Sequence, residues 1–351
     1  MFRKTVDGRV AVCYITEKRR IQAMLLDFEQ IKSATHGAVC VMSIDGYTAF
    51  DRFSEEQRGL FGPGYSEDSM SSASVVIDFE TDASIISFEW KCLKGLVGGS
   101  FYSDVCIDGL YAANFGMSGI NASVGEGDFI LGLPEGVHRI QIYLCHMCRV
   151  RLKNIKLENA GVFKPSVPKH TMLCLGDSIT QGHGVQHPSM TYVNRLADSL
   201  CASAVNKGVG GMCFRSDLLY ECKNEAAEIV TLAYGTNDWC SVSREALLSE
   251  ISKIVNILNE YYSESKVYVI TPFWRTDINA PAPLCIDRPA PCGDFYGMIK
   301  DIKSAFSGFN VIDGLEVFPH VPDYFSDLWL HPGDFGSVLL ADGIRRRIDL
   351  D

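Results

Sequence analysis

The sequence contains no run of about eighteen apolar residues, so it offers no membrane-spanning helix. Its first residues, MFRKTVDGRVAV, do not make a signal peptide, because Asp7, Gly8 and Arg9 break the apolar stretch that would have to follow the basic residues. Basic residues are the scarcer charge. Against 43 Asp and Glu stand 32 Lys and Arg, a formal net charge of -11, which argues against nucleic acid and against an anionic membrane surface as partners. The thirteen cysteines are an odd number without framework spacing, and Cys145 and Cys148 form the sole C-x-x-C. No second pair completes a zinc site, so these two are read as packed core thiols. Reduced thiols and a cytoplasmic location are the expectation. Disorder is excluded by 47% hydrophobic and 21% charged residues.

Two periodicities divide the 351 residues, a length that fits two domains. From about residue 37 to 157 the pattern has period two. Val75, Ile77 and Phe79 alternate with Ser74, Asp78 and Glu80; Ile86, Phe88 and Trp90 with Ser87, Glu89 and Lys91; Ile140, Ile142 and Leu144 with Arg139, Gln141 and Tyr143. Such stretches read as half-buried strands, apolar inward and polar outward. Asp108-Gly109 reads as a hairpin turn. The absence of a helical period predicts an all-β jelly-roll or sandwich domain over 1–160. The segment RRIQAMLLDFEQI reads either as a short helix or as an irregular lead-in. Residues 161–170, with two prolines, read as a linker.

After residue 170 short apolar runs (MLCLG, SAVN, IVTLAYG, KVYVITP, NVID) alternate with helical stretches. The clearest helix spans about Arg244 to Tyr262, with Leu247, Leu248, Ile251, Ile254, Val255 and Leu258 on one face and Ser243 as N-cap. This alternation predicts an α/β domain over 171–351, a three-layer doubly wound parallel sheet whose functional residues follow the apolar runs.

Four loops then carry the chemistry. LCLGDSITQG places Ser178 just after a buried strand, where it is either a nucleophile or a helix cap. VNKGVGGMCF supplies glycines that let the backbone approach a ligand or simply turn. TLAYGTNDW places Asn237 where its amide faces a developing oxyanion or serves a turn. LWLHPGDFG places His331 before the last helix, as a base for the serine or as a structural residue.

In this order and context the four blocks resemble the SGNH hydrolase superfamily, the GDSL esterases, over about residues 170–351. The fold that resemblance implies is flavodoxin-like. The whole chain more loosely resembles two-domain members with an N-terminal jelly roll, such as the family 2 carbohydrate esterases. The resemblance implies that Ser178 attacks an ester carbonyl and that His331 takes its proton. It makes Ser178, Gly211 (with Gly210 as alternative) and Asn237 the oxyanion donors, and it requires no metal or organic cofactor. The implied partner is a small-molecule or oligosaccharide ester substrate carrying short acyl groups, acetyl foremost.

One feature departs from the family pattern. The aspartate usually three residues before the histidine is replaced by Leu328, and Asp327 stands at four. Either Asp327 orients the imidazole across a longer loop, or a main-chain carbonyl does so and leaves a Ser-His dyad; Asp323 is a third candidate. Trp239, Trp274, Tyr324 and Phe214 are candidates for a substrate pocket, with core packing as the competing role. Arg275 meets either a polar substrate group or a structural acid. The insert from Asp277 to Gly293, with Pro281, Pro283, Pro289 and Pro291, is expected to form a rim. Two other functions use the same residues or spare them: acyl transfer to a sugar, and glycan binding by a degenerate hydrolase.

Overall fold

The computed structural model describes residues 23–93, 100–118, 124–225, 227–278 and 290–350. The leader reading of residues 1–12 and the prolines Pro281, Pro283 and Pro289 of the expected rim lie outside them.

The N-terminal half holds β1 (Ala23–Leu25), β2 (Thr35–His36), β3 (Cys40–Ile44), β4 (Tyr47–Asp51), β5 (Val76–Thr81), β6 (Ile85–Leu93), β7 (Ser100–Ile107), β8 (Leu110–Ser118), β9 (Gly125–Gly132), β10 (His138–Tyr143), β11 (Arg149–Glu158) and β12 (Phe163–Pro165). They form two antiparallel sheets. One runs β3-β4-β11-β6-β9 with β1 on β11, the other β12-β5-β10-β7-β8 with β2 on β5. The period-two residues explain the stacking. Ile77, Phe79, Ile140 and Ile142 of one sheet share a core with Ile86, Phe88, Val150 and Leu152 of the other. Cys145 and Cys148 are fully buried in that core. At Asp108-Gly109 both residues take positive φ (52° and 79°) between paired Ile107 and Leu110, the geometry a two-residue hairpin turn requires.

Several expectations need correction here. RRIQAMLLDFEQI contributes both β1 and a short helix, α1 (Phe28–Ser33), capped by Asp27 and Gln30. Two helices interrupt the β pattern, α2 (Glu55–Gly59) and α3 (Pro63–Ser69). They are too short to show an apolar period; α2 is closed by the Ser54–Gln57 capping box. Residues 163–165 of the expected linker form β12, which pairs with β5. The polar alternates Asp78, Gln141 and Tyr143 are buried rather than solvated. Their face of the sheet is covered by the second half of the chain, where the Tyr143 hydroxyl donates to Asp198 at 2.7 Å.

The second half is a parallel sheet of β13 (His170–Gly176), β14 (Ala202–Asn206), β15 (Ile229–Ala233), β16 (Lys266–Ile270) and β17 (Asn310–Ile312), in the order β14-β13-β15-β16-β17. The order reverses at β13, so the crevice beyond the C-terminal ends of β13 and its neighbours is the place for a site. The helices are α4 (Ser178–Gln181), α5 (Tyr192–Ser199), α6 (Ser216–Glu221), α7 (Thr236–Ser241), α8 (Arg244–Tyr261), α9 (Phe295–Ala305), α10 (Gly314–Val317) and α11 (Asp334–Arg345). Helix α8 buries Leu247, Ile251, Ile254 and Leu258, and the Ser243 hydroxyl accepts from the Ala246 N–H. Separate apolar clusters on the two sides of the sheet, one with α6, α8 and α9, the other with α5 and α11, complete three layers. Ten cysteines among the described residues are free, but Cys240 is disulfide-bonded, so the expectation of reduced thiols fails there. No helix among the described residues is long and apolar enough to cross a membrane.

Candidate active site

Strand β13 ends at Gly176, and Asp177 caps the turn that follows by accepting the Ile179 N–H at 2.9 Å. This lifts Ser178 to the first position of α4, at the C-terminal edge of the sheet. Its Oγ lies 2.9 Å from His331 Nε2, although 153 residues separate them. His331 Nδ1 lies 2.7 Å from Asp327 Oδ2. A carboxylate at Nδ1 fixes the tautomer that leaves Nε2 free to accept the serine proton. Gly184, at φ 89°, admits the histidine loop: a Cβ there would stand 2.6 Å from Ser326 Oγ and 2.8 Å from His331 Cβ.

The four-residue spacing is absorbed by the loop. Leu328 takes φ 64°, a left-handed conformation uncommon for a branched side chain. Asp327 Oδ1 accepts the N–H groups of Trp329 (3.0 Å), Leu330 (2.8 Å) and His331 (3.1 Å). Ser326 N–H closes the loop on the His331 carbonyl at 2.8 Å. Burial pushes the Asp327 carboxyl upward, but the hydrogen bonds from His331, Leu330 and Trp329 outweigh it and hold it at about 2. Asp323 is exposed on the neighbouring turn.

One loop bonds to the helix that carries Ser178, and a second is tied to that loop. Gly208 N–H donates to Asn206 Oδ1 (2.8 Å), Val209 N–H to the Gly176 carbonyl (3.1 Å) and Gly210 N–H to Gln181 Oε1 (2.9 Å). Gly210, the alternative donor, is therefore occupied. Gly211 follows at φ 77°, and no hydrogen bond from its N–H occurs among the described residues. Asn237 uses one amide N–H on the Met212 carbonyl at 3.0 Å, which ties the two loops together and leaves its second N–H. Asp238 accepts the Phe214 N–H at 3.1 Å, fastening the same loop from below; burial raises its carboxyl to about 7. Gln181 and Asp238 were missed from sequence, although Asp238 lies beside Asn237.

His183 adds an unforeseen neighbour. Its ring lies 5.7 Å from that of His331, and its Nε2 is buried without a hydrogen-bond partner. Burial, then the facing His331, lower its pKa to about 3.

The pocket candidates fare differently. Trp239 is 2% exposed; its indole N–H donates to the Gly293 carbonyl at 2.8 Å and its ring packs edge-on against Phe295. Arg275 is 1% exposed and held by Asp277 through bonds of 2.6 and 3.0 Å, between the rings of Trp239 and Trp329. Phe214 is buried against Tyr234 and Phe306. These three are core residues, because their neighbours already satisfy their polar and apolar surface. Trp274 stacks on His320 at 5.1 Å, and Tyr324 packs on Phe335 at 5.4 Å; neither ring contact includes Ser178, His331, Gly211 or Asn237.

Residues 174–339 match the family described as GDSL-like Lipase/Acylhydrolase. Among similar solved structures is the salicylyl-acyltransferase SsfX3 from a tetracycline biosynthetic pathway, 18% identical, covering 94% of this chain and 97% of its own, with a TM-score of 0.75. A family two carbohydrate esterase from Cellvibrio japonicus is 14% identical over 93% of this chain and 96% of its own, TM-score 0.62. The acetyl xylan esterase Est2A from Butyrivibrio proteoclasticus is 13% identical over 93% and 97%, TM-score 0.59. At these identities the likeness establishes a shared fold across both halves of the chain. No curated protein sequence matches the chain.

Proposed function

We propose, from the match of residues 174–339 to the GDSL-like lipase and acylhydrolase family, a serine esterase that removes short acyl groups, acetyl foremost, from carbohydrate esters. The observation that carries the proposal is the continuous relay from Ser178 Oγ through His331 to Asp327, at 2.9 and 2.7 Å. His331 Nε2 takes the serine proton as Oγ bonds to the ester carbonyl carbon. The negative charge collects on the carbonyl oxygen, where the N–H groups of Ser178 and Gly211 and the Asn237 amide receive it. Collapse breaks the ester C–O bond, and His331 returns the proton to the departing alcohol. Water, deprotonated by the same imidazole, then frees the acid from Ser178. The sugar part of the proposal rests on the shared architecture with carbohydrate esterases, an analogy of fold.

Acyl transfer to a sugar hydroxyl is the second reading, favoured by the full-length similarity to an acyltransferase. The complete relay counts against a degenerate, purely glycan-binding role. Purified protein and Ser178→Ala, assayed with p-nitrophenyl acetate, butyrate and octanoate and with acetylated sugars, test the proposal. Turnover by the wild type on acetate, lost in Ser178→Ala, is expected. A wild type no faster than the variant on every substrate overturns it, and turnover that needs an added sugar acceptor selects transfer.

A further inference from the structure

Among the contacts that join the N-terminal half to the site loops is one buried cation, Arg52. Arg52 follows β4 and has no exposed surface. A guanidinium has five N–H groups, and here each has an acceptor. Nε donates to the Ser71 carbonyl (2.9 Å), Nη1 to the carbonyls of Asn206 (2.8 Å) and Gly208 (2.6 Å), and Nη2 to the Asp68 carbonyl (2.8 Å) and Ser71 Oγ (3.1 Å). All five acceptors are uncharged. The Phe53 ring lies 4.7 Å away, and burial, only partly offset by the Asp68 carboxyl, lowers the guanidinium to about 9. A buried charge without a carboxylate bonded to it is costly, so its geometry must hold something that a neutral side chain would not.

What it holds is the turn Asn206–Gly208. The N–H side of that loop is fixed from within the hydrolase half by Asn206, Gly176 and Gln181. Its carbonyl side is fixed by Arg52. Lys207 is drawn the same way, donating to the Arg52 carbonyl and to Gln57 Oε1, both at 2.7 Å, while Asn206 Nδ2 donates to Ser74 Oγ at 3.1 Å. Three residues beyond the clamp is Gly211. Helix α3 lies over it: a Cβ on Gly211 would stand 3.3 Å from Tyr65 Cε1.

We infer that Arg52 is a positioning residue for the Gly211 donor, and that the N-terminal sheets are thereby part of the catalytic apparatus rather than a separable binding module. The inference rests on the esterase reading. Arg52 touches no reacting atom; it acts through the carbonyls of Asn206 and Gly208. A donor serves an oxyanion only within about 2.7–3.1 Å of it, and a misplacement of about 1 Å forfeits much of the effect.

The test uses the full chain with p-nitrophenyl acetate, each preparation normalised by titrating Ser178 with a p-nitrophenyl phosphonate. Arg52→Lys keeps the charge but loses the planar fork. Its kcat per titrated serine should fall about 10- to 100-fold, somewhat less than removal of an oxyanion donor, with KM changed less than threefold. Arg52→Ala should fall further and recover at least about fivefold with methylguanidinium, which refills the fork. Ser71→Ala removes the acceptor that Arg52 Nη2 shares with Gln181 Nε2 (3.1 and 3.2 Å); it should lose about three- to tenfold and supports Arg52→Lys if Arg52→Ala does not fold. A role in stability alone would reduce the titratable fraction and leave kcat per titrated serine intact. Values within twofold of wild type for Arg52→Lys and Ser71→Ala overturn the inference. A wild type that neither titrates nor turns over overturns the esterase reading, and this inference with it.

Discussion

Asp327 makes two kinds of contact, and two substitutions separate them. Its Oδ2 faces His331 Nδ1 at 2.7 Å, while its Oδ1 collects the N–H groups of Trp329, Leu330 and His331. A charge-assisted hydrogen bond contributes about 1.5–3 kcal/mol. If that is lost as the imidazolium forms, kcat falls about 10- to 150-fold. Loss of tautomer control adds to this, because an imidazole without an acceptor at Nδ1 spends part of its time with the proton on Nε2 and cannot take one from Ser178. Asp327→Ala should therefore lower kcat at least about 100-fold, and it should lower Tm as well, since three backbone N–H groups lose their acceptor. Asp327→Asn keeps an oxygen for those three groups but offers an N–H to Nδ1, so it should lose comparable activity with Tm nearly unchanged. Steady-state kinetics on p-nitrophenyl acetate at pH 7.5, beside thermal melts, read both. An effect under threefold for Asp327→Ala refutes the reasoning and leaves His331 oriented by the main chain.

Other outcomes follow from burial. Arg275→Ala strands the Asp277 carboxylate in the core and should cost about 3–5 kcal/mol of stability, read by urea denaturation, with KM unchanged; a raised KM at unaltered stability would return Arg275 to the substrate. His183, with its folded pKa lowered to about 3, stays neutral in the fold while the unfolded chain takes up a proton below about pH 6.5. Stability is thus lost as pH falls, by about 2 kcal/mol between pH 7 and 5 for this residue. His183→Phe should flatten the stability–pH curve by that amount, and an unchanged slope would refute the assignment.

The parallel sheet was legible because its strands are short apolar runs separated by one long amphipathic helix and several weaker ones. The positions of Ser178, Asn237 and His331 were legible because each lies within two residues of the end of such a run or shortly before the last helix. Trp239 and Arg275 were not. A tryptophan beside a strand end has the same sequence surroundings whether it lines a cleft or fills the core, and only Asp277, Phe295 and Trp329 in three dimensions decide. Arg52 was invisible for a different reason. Four of its five acceptors are main-chain carbonyls, one of them 156 residues away, and carbonyls leave no mark in sequence. The two helices between β4 and β5 are single turns or little more, too short to be stabilised by propensity; α2 has the Ser54–Gln57 capping box, whereas α3 starts after Gly62 without a side-chain cap.

The left-handed Leu328 has a consequence for how such proteins are found. The loop stores its additional residue as a reversed twist, so the imidazole and carboxylate meet at ordinary bonding distance although their separation along the chain has changed. Here the bonding distance of 2.7 Å is reached across four residues rather than the three that the resemblance implies. A search string demanding a fixed interval between acid and histidine would pass over this chain, while a search for the three-dimensional arrangement would not.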